Sequence, residues 1–423
     1  MKNISLIILI TIALTGYDRA DNIENPHYDI RLSIDPAEQY IDVECKWVLP
    51  KNTEAGTIIF YLHRQLQIEE IMPSNGESVI ISRDTSDIRY MPYATKYTIK
   101  THALKNNRTS LQMKYSGRIT EWSEWSPSVI GEEWTELGSY FPWYPRNKEY
   151  GPFTYEVEVF IDDKYHTFMM GNEAADKNWA SYTTENTTND IVLCASEDLR
   201  TVNKEVFQYD LCIAHSSFPD TLINSLTDDI REILALFNRW FPAGGNTICL
   251  VESMREEGGG YARLGGIYLS GLTSSDFYGS RKAYTRYLAH EISHLWWYRA
   301  DANTWEDWLN EGFAEYTALL VLRELYGQDY FEEQIEKKRE QSEGTDPVWQ
   351  YDRNREQAYT ILYDKAPLLL YELEGRIGIG PFKQLMWDLL INKVSTTYEF
   401  KRILTDLEGE ETAEWFVEML KER

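Results

Sequence analysis

The chain has 423 residues, with 42 lysines and arginines against 68 aspartates and glutamates, so its formal net charge is −26. Its 43% hydrophobic and 14% aromatic residues are enough for folded cores, which excludes a disordered or collagen-like chain. The negative charge argues against nucleic acid and against an anionic membrane surface as partners, because both attract basic proteins. The length predicts two to three domains of about 150 residues each.

The first residues have the composition of an export signal. Lys2 precedes an apolar run over residues 4–14, which is too short to cross a bilayer comfortably. Leu14-Thr15-Gly16 resembles the start of a lipobox, but Tyr17 stands where the lipid-bearing cysteine would be. We therefore predict a signal peptide over residues 1–20 and an exported protein, periplasmic or secreted, without stable membrane insertion after the leader is removed. A buried N-terminal strand is the alternative.

The first half of the chain has the hydrophobic pattern of β-strands. Between residues 26 and 216, apolar and polar residues alternate over short runs that turn residues separate. The clearest runs cover residues 28–34, 57–62, 97–100 and 153–161. This pattern predicts an N-terminal antiparallel β domain over residues 21–213.

The spacing of apolar residues becomes helical after residue 219. They recur at helical intervals from residue 222 to residue 237, residues 248–251 have the composition of a strand, and nearly everything beyond residue 280 has helical periodicity. We predict a second, mainly helical domain over residues 214–423. The expected fold class is therefore α+β.

Cys45, Cys194, Cys212 and Cys249 form no C-x-x-C pair, which argues against a cysteine zinc knuckle. Four cysteines would permit disulfides, but a chain of this size does not need them for stability. We expect mostly buried thiols and leave a bridge open.

His290-Glu291-Ile292-Ser293-His294 is an H-E-x-x-H motif in a helical stretch. Positions i and i+4 of a helix share a face, so both imidazoles can bind one ion. Neutral imidazole is a good zinc ligand, and three protein ligands leave one position for water. Glu291 lies beside them and could take a proton from that water.

Downstream of this motif stands Trp308-Leu309-Asn310-Glu311-Gly312. With it, the chain resembles the gluzincin metallopeptidases of the aminopeptidase N and leukotriene hydrolase type. The resemblance implies a thermolysin-like catalytic domain, a peptide substrate and one Zn²⁺ ion held by His290, His294 and Glu311. The 16 residues between His294 and Glu311 are two fewer than the family usually has, and we place the shortening in the loop over residues 298–304. Only 112 residues follow Glu311, so the resemblance is to a short two-domain form.

Two further residues are similar to the family pattern. Glu315 lies one helical turn beyond Glu311 and could accept a hydrogen bond from the outer nitrogen of a ligand histidine, which would fix its tautomer; a solvated helix glutamate is the alternative. Tyr363-Asp364-Lys365-Ala366 resembles the family's Y-E-K-G, whose tyrosine donates a hydrogen bond to the tetrahedral intermediate. The resemblance implies that role for Tyr363 and the role of general base for Glu291.

The family's G-x-M-E-N motif, whose glutamate holds the α-ammonium group of the substrate, is degenerate here. The corresponding stretch is Gly259-Gly260-Tyr261-Ala262-Arg263, with Ala262 in the place of the glutamate. Arg263 adds a cation, which disfavours an ammonium ion beside it. Glycines let a substrate backbone approach for β-type pairing, so these five residues remain candidates for substrate binding. Glu256 or Glu257 could replace the missing carboxylate, and a loop without a binding role is the alternative.

The sequence therefore predicts an exported zinc metallopeptidase with altered recognition of the substrate N-terminus. It leaves open exopeptidase or endopeptidase action, side-chain specificity and oligomeric state. The aromatic stretch 141–146 could line a subsite, or it could form a corner of the hydrophobic core. Two rival functions also stay open: a non-peptidase hydrolase on the same site, and an inactive or weakly active zinc-containing peptide-binding protein.

Overall fold

The computed structural model describes residues 25–422, apart from 51–56, 75–78, 87–90, 101–109, 123–128, 177–178, 245–246, 255–260, 264–265 and the single positions 139, 148, 303 and 354. The predicted signal peptide lies outside the described residues, as do Glu256, Glu257, Gly259 and Gly260. Among the helices of the described part, none combines the length and the apolar character that a membrane crossing requires.

The N-terminal part of the chain folds into β-sheets. Its strands are β1 (His27–Asp35), β2 (Tyr40–Val48), β3 (Thr57–His63), β4 (Gln67–Pro73), β5 (Ile80–Thr85), β6 (Ala94–Lys100), β7 (Ser110–Arg118), β8 (Thr135–Leu137), β9 (Thr154–Phe160), β10 (His166–Phe168), β11 (Asn172–Asp176), β12 (Trp179–Thr183) and β13 (Leu193–Ser196). The largest sheet has the order β11-β12-β9-β1-β2-β7-β4, and two smaller sheets have the orders β3-β6-β5 and β10-β13-β8. Neighbouring strands are antiparallel except β1 and β9, which run parallel.

Alternating side chains fix how the largest sheet packs. In β1 the even-numbered residues from 28 to 34 are buried, while the odd-numbered residues from 29 to 35 are exposed. Because successive side chains of a strand point to opposite faces, one face of β1 lies entirely in the core. The aromatic stretch 141–146 packs against the same core, where Trp143 and Tyr144 are fully buried.

The C-terminal part begins with a second, mixed sheet. Its strands are β14 (Arg200–Val206), β15 (Tyr209–His215), β16 (Thr247–Ser253), β17 (Tyr261–Arg263) and β18 (Gly266–Ser270). They lie in the order β14-β15-β16-β18-β17, and β15, β16 and β18 run parallel. The predicted domain boundary at residue 213 falls inside β15, so β14 and β15 share a sheet with strands from beyond that boundary.

Helices make up most of the remaining chain. They are α1 (Asp220–Trp240), α2 (Ser274–Gly279), α3 (Arg281–Ser293), α4 (Trp308–Tyr326), α5 (Gln328–Ser342), α6 (Ala358–Thr360), α7 (Ala366–Ile377), α8 (Ile379–Ile391), α9 (Thr397–Glu408) and α10 (Glu410–Lys421). A 3₁₀ turn, Trp305–Asp307, leads into α4, and a π-helical turn, Ile361–Lys365, joins α6 to α7. A β-rich domain followed by a mainly helical one confirms the predicted α+β fold class.

The four cysteines are free thiols. Cys45, Cys194 and Cys249 are buried, and Cys212 is partly exposed. Burial raises the pKa of the Cys45 and Cys194 thiols well above the ordinary value, so both stay protonated and unreactive at neutral pH.

Helix α4 lies at the centre of the helical region, where α3, α5 and α7 all pack against it. From residue 308 to residue 322, every residue except Glu311 is buried, as expected for a helix surrounded by protein. At Gly312 an added Cβ atom would lie 2.9 Å from the Cβ atom of Ala366, the first residue of α7. The missing side chain therefore lets the two helices approach closely, directly beside Glu311.

Replacing Gly312 by valine should separate α4 from α7 and destabilise the protein. Overpacking of this kind costs roughly 1–3 kcal/mol of unfolding free energy, which urea denaturation measures. Gly375→Ala in α7 is the matched control, because its added Cβ atom meets nothing within 4 Å. That control should instead gain about 0.5–1 kcal/mol. Equal stability of Gly312→Val and the parent protein would contradict close packing at this point.

Candidate active site

Helix α3 places both histidines of the H-E-x-x-H motif side by side. Leu288, Ala289 and Ile292 of this helix pack into the hydrophobic core. The helix ends at Ser293, but His294 keeps helical backbone angles, with φ of −64° and ψ of −8°. The two imidazole rings therefore stay one turn apart, with centroids 4.9 Å from each other and planes nearly perpendicular.

The outer nitrogen of each imidazole is fixed by an oxygen acceptor. His290 Nδ1 lies 3.0 Å from Glu315 Oε2, and His294 Nδ1 lies 2.8 Å from the backbone carbonyl oxygen of Trp297. Since a carboxylate and a carbonyl only accept hydrogen bonds, both Nδ1 atoms must donate. In the neutral form of each ring, Nε2 is then the nitrogen that keeps its lone pair, the form in which histidine binds a metal.

Both Nε2 atoms face the carboxylate of Glu311. Its Oε2 atom lies 3.3 Å from His290 Nε2 and 3.6 Å from His294 Nε2. This oxygen is buried and has no hydrogen-bond donor among the described residues. The two Nε2 atoms and the buried carboxylate oxygen are all electron donors, and they face one another. A cation between them would stabilise this arrangement. Two histidines and one carboxylate match the donor set of a catalytic zinc site, so the residues fit Zn²⁺.

Glu291 is the second carboxylate at this position. One of its oxygens and the ligand nitrogens of His290 and His294 all lie within 4.8 Å of one another. Of the two carboxylates, Glu311 places an oxygen opposite both Nε2 atoms, so we assign Glu311 as the ligand and leave Glu291 beside the ion. Burial raises the pKa of Glu291, which makes its carboxylate a better proton acceptor.

The charges of the site stabilise one another. Burial opposes a charge on His290, but the nearby carboxylates of Glu311 and Glu315 outweigh it and raise the pKa of His290 to about 10. Burial likewise opposes a charge on Glu311, yet His294 and His290 hold the pKa of Glu311 well below its usual range. The pocket thus attracts a positive charge strongly, either a proton on His290 or a metal ion, and a bound metal would displace that proton.

Glu315 is itself held by two cations that the sequence analysis did not identify. Arg286 Nη1 lies 2.6 Å and Lys338 Nζ 2.7 Å from Glu315 Oε1. Although burial favours the neutral form, Lys338 and Arg286 keep the pKa of Glu315 well below its usual range. Arg286 could have been found, since it lies one helical turn before His290, whereas Lys338 comes from α5 and had no sequence signal.

Tyr363 reaches the site from the π-helical turn. Its ring stacks on the His290 ring with 5.5 Å between centroids and 30° between planes. Burial and the negative charge of Glu311 raise the pKa of Tyr363 well above the ordinary value, so its hydroxyl stays protonated. Tyr363 therefore lies next to His290, and its position depends on a helix distortion that the sequence analysis did not predict.

Asn310 holds the shortened loop between the histidines and Glu311. Its Nδ2 atom donates to the carbonyl oxygen of Ala300 at 3.0 Å, and its Oδ1 atom accepts from the Ala300 amide at 3.1 Å. The same Nδ2 atom also donates to Asp307 Oδ1 at 3.0 Å. The side chain next to Glu311 therefore pins the loop to the start of α4.

The predicted substrate strand lies at the meeting point of the two parts of the chain. Tyr261 is buried and donates a hydrogen bond to Glu136 Oε1 at 2.7 Å, so its side chain contacts the N-terminal part. Arg263 Nε lies 2.9 Å from Oδ2 of the buried Asp190. The positive charge of Arg263 also opposes the effect of burial on the pKa of Glu291, which places Arg263 within electrostatic reach of the active site.

A family comparison fits this geometry. The sequence model that describes the peptidase family M1 domain matches residues 273–418, which contain all metal-ligand candidates, Glu291, Glu315, Lys338 and Tyr363. This segment is similar to the catalytic domains of peptidase family M1. The M1 domain confirms the resemblance to the aminopeptidase N and leukotriene hydrolase type. Zinc is the metal that this family implies, in agreement with the donor set. A comparison with curated protein sequences finds no match to this chain.

Solved M1 structures share the fold over most of the chain. The M1 zinc metallopeptidase from Deinococcus radiodurans superposes with a TM-score of 0.70 at 15% identity, covering 93% of each chain. A mutant of that enzyme was solved bound to a Tyr-Ser-Ala substrate. Leukotriene A4 hydrolase from Saccharomyces cerevisiae gives a TM-score of 0.65 at 14% identity, over 93% of this chain and 66% of the other. At such identities the likeness establishes the two-domain fold alone.

Replacing Glu315 by glutamine should weaken zinc binding by roughly tenfold or more, because the carboxylate that orients His290 loses its charge. Competition with a chromogenic chelator measures this affinity without any activity assay. Glu324→Gln, on the exposed end of the same helix, is the control and should bind zinc like the parent protein. Unchanged zinc affinity in Glu315→Gln would show that this contact does not orient the ligand.

Proposed function

We propose that the protein is a zinc-dependent metallopeptidase that hydrolyses peptide bonds with an activated water molecule. The observation that carries the proposal is the convergence of His290 Nε2, His294 Nε2 and Glu311 Oε2, with a carboxylate of raised pKa beside them. The M1 domain and the peptide seen in the Deinococcus enzyme support a peptide as the substrate.

Two side chains of this protein and a bound metal ion would share the chemistry. His290, His294 and Glu311 would hold Zn²⁺, which would supply a Lewis acid for lowering the pKa of water and polarising a carbonyl. Glu291 accepts a proton from the attacking water and returns it to the leaving amine, which turns a poor leaving group into a neutral one. Tyr363 keeps its proton, so its hydroxyl can donate a hydrogen bond to the carbonyl oxygen as negative charge develops there.

We further propose that a free N-terminus is not the preferred anchor of the substrate. Ala262 offers no carboxylate, and Arg263 beside it carries a positive charge. Asp190, which balances Arg263, also lies 3.9 Å from Arg146 Nη1. A substrate ammonium ion would therefore meet guanidinium charge where the family offers a carboxylate. Among the described strands, β17 is the last of its sheet. Its outer edge can therefore pair with an extended peptide whether the N-terminus of that peptide is free or blocked.

Replacing Glu291 by glutamine should abolish turnover while zinc stays bound. The amide is nearly the same size but cannot accept and return the proton, so we expect kcat to fall by roughly 10²–10⁴-fold. Metal analysis of the same purified protein should still give one zinc per chain. Appreciable residual peptidase activity in the zinc-loaded variant would refute Glu291 as the general base.

Cleavage of free and N-acetylated peptides of identical sequence tests whether a free N-terminus is the preferred anchor of the substrate. We expect kcat/KM for the acetylated peptide to lie within about threefold of the value for the free one, since about threefold corresponds to under 1 kcal/mol. An unbiased peptide-library digest would supply the sequences to compare. A strong preference for free aminoacyl substrates would overturn the altered anchor while leaving the zinc peptidase itself in place.

A further inference from the structure

Lys338 is a buried lysine that contacts Glu315 and Tyr363. Its side chain is about 4% exposed, and it comes from α5, a helix that contributes no metal ligand. The ammonium group has three acceptors around it: Glu315 Oε1 at 2.7 Å, the carbonyl oxygen of Tyr363 at 2.6 Å and Asp364 Oδ1 at 3.3 Å. The ammonium group thus makes two hydrogen bonds and one close ion pair, and a lysine has three N–H donors in all.

The first contact reaches the metal site through Glu315. Lys338 and Arg286 both bind Oε1 of this carboxylate, which leaves Oε2 for the Nδ1 atom of His290. The orientation of the carboxylate therefore depends on where the two cations lie. Because the ring of His290 follows its Nδ1 partner, the position of Lys338 influences the direction of the Nε2 lone pair.

The second contact reaches Tyr363 through its own backbone. In an α-helix the Tyr363 carbonyl would accept from the amide four residues on, but that residue is Pro367, which has no N–H. The chain forms a π-helical turn here, in which the Ala366 amide donates to Ile361 five residues back. Lys338 supplies a donor to the Tyr363 carbonyl that Pro367 cannot provide, and so fixes the turn that carries the Tyr363 ring.

We infer that Lys338 is a positioning residue that couples the metal ligand His290 to the oxyanion donor Tyr363. One ammonium group sets the place of both, so the two cannot shift independently. A buried charge of this kind is costly unless it is fully paired, which accounts for its three close acceptors. The part of the inference that concerns Tyr363 as an oxyanion donor rests on the proposed function, whereas the part that concerns zinc affinity does not.

Lys338→Met tests the coupling, because methionine keeps most of the length of the side chain and removes its charge and donors. We expect zinc affinity, measured by chelator competition, to fall roughly tenfold, as for other residues that orient metal ligands. At saturating zinc, kcat should also fall by roughly tenfold or more while KM changes little, the pattern of a lost transition-state interaction. Lys337→Met is the matched control, since Lys337 is exposed and pairs only with Glu333 in the described contacts.

The double variant Glu315→Gln/Lys338→Met makes the zinc test specific. If Lys338 acts on zinc through Glu315, both changes break the same path. The double variant should then lose no more zinc affinity than the single variant that binds zinc less tightly. Additive losses would overturn the proposed path, as would zinc affinity in folded Lys338→Met within about twofold of the parent. A parent protein that binds zinc but cleaves no peptide would refute the proposed function, and zinc affinity would still decide whether Lys338 positions His290.

Lys338→Arg keeps the inference testable if the methionine variant fails to fold. Arginine retains the positive charge beside Glu315 but cannot place a compact ammonium group between three acceptors. We expect this variant to keep zinc affinity within about threefold and to lose kcat by roughly tenfold at saturating zinc. Wild-type kcat in Lys338→Arg would show that the contact with the Tyr363 carbonyl does not position the tyrosine.

Discussion

The hydrogen bonds at the two Nδ1 atoms are the interactions on which the rest of the site depends. A metal–imidazole bond forms only along the lone pair of an unprotonated nitrogen, so a histidine in the wrong tautomer would present a proton instead. Glu315 and the Trp297 carbonyl remove that freedom for His290 and His294. Glu311 then needs only to bring one carboxylate oxygen opposite both Nε2 atoms.

This arrangement requires several charges to be buried together, which is unfavourable unless each charge has a close partner. The chain meets that requirement with rigid helices. α3 carries the histidines and Arg286, α4 carries Glu311 and Glu315, and α5 carries Lys338. Gly312 allows α7 to approach α4 closely enough for Tyr363 to join them. Sites built on helices hold their geometry better than sites on loops, which suits a reaction that depends on fixed distances.

The candidate metal ligands could be identified from the sequence because their geometry is local. The i, i+4 spacing of His290 and His294 needs nothing but a helix, and Glu315 follows Glu311 at the same interval. Lys338 could not be predicted, since only the packing of α5 against α4 brings it to Glu315. The boundary at residue 213 illustrates the same limit, because a period-two pattern identifies a strand without telling which sheet it joins.

Arg263 joins the strand proposed to bind substrate to the N-terminal part of the chain. Its guanidinium group lies beside the buried Asp190 of the N-terminal part, so the positive charge near the active site also compensates a buried carboxylate. Removing that charge to favour a substrate ammonium ion would leave Asp190 less well compensated, and a glutamate at position 262 would sit next to a guanidinium. The contact with Asp190 therefore keeps a positive charge at position 263. The net charge of the chain, −26, does not indicate this local charge.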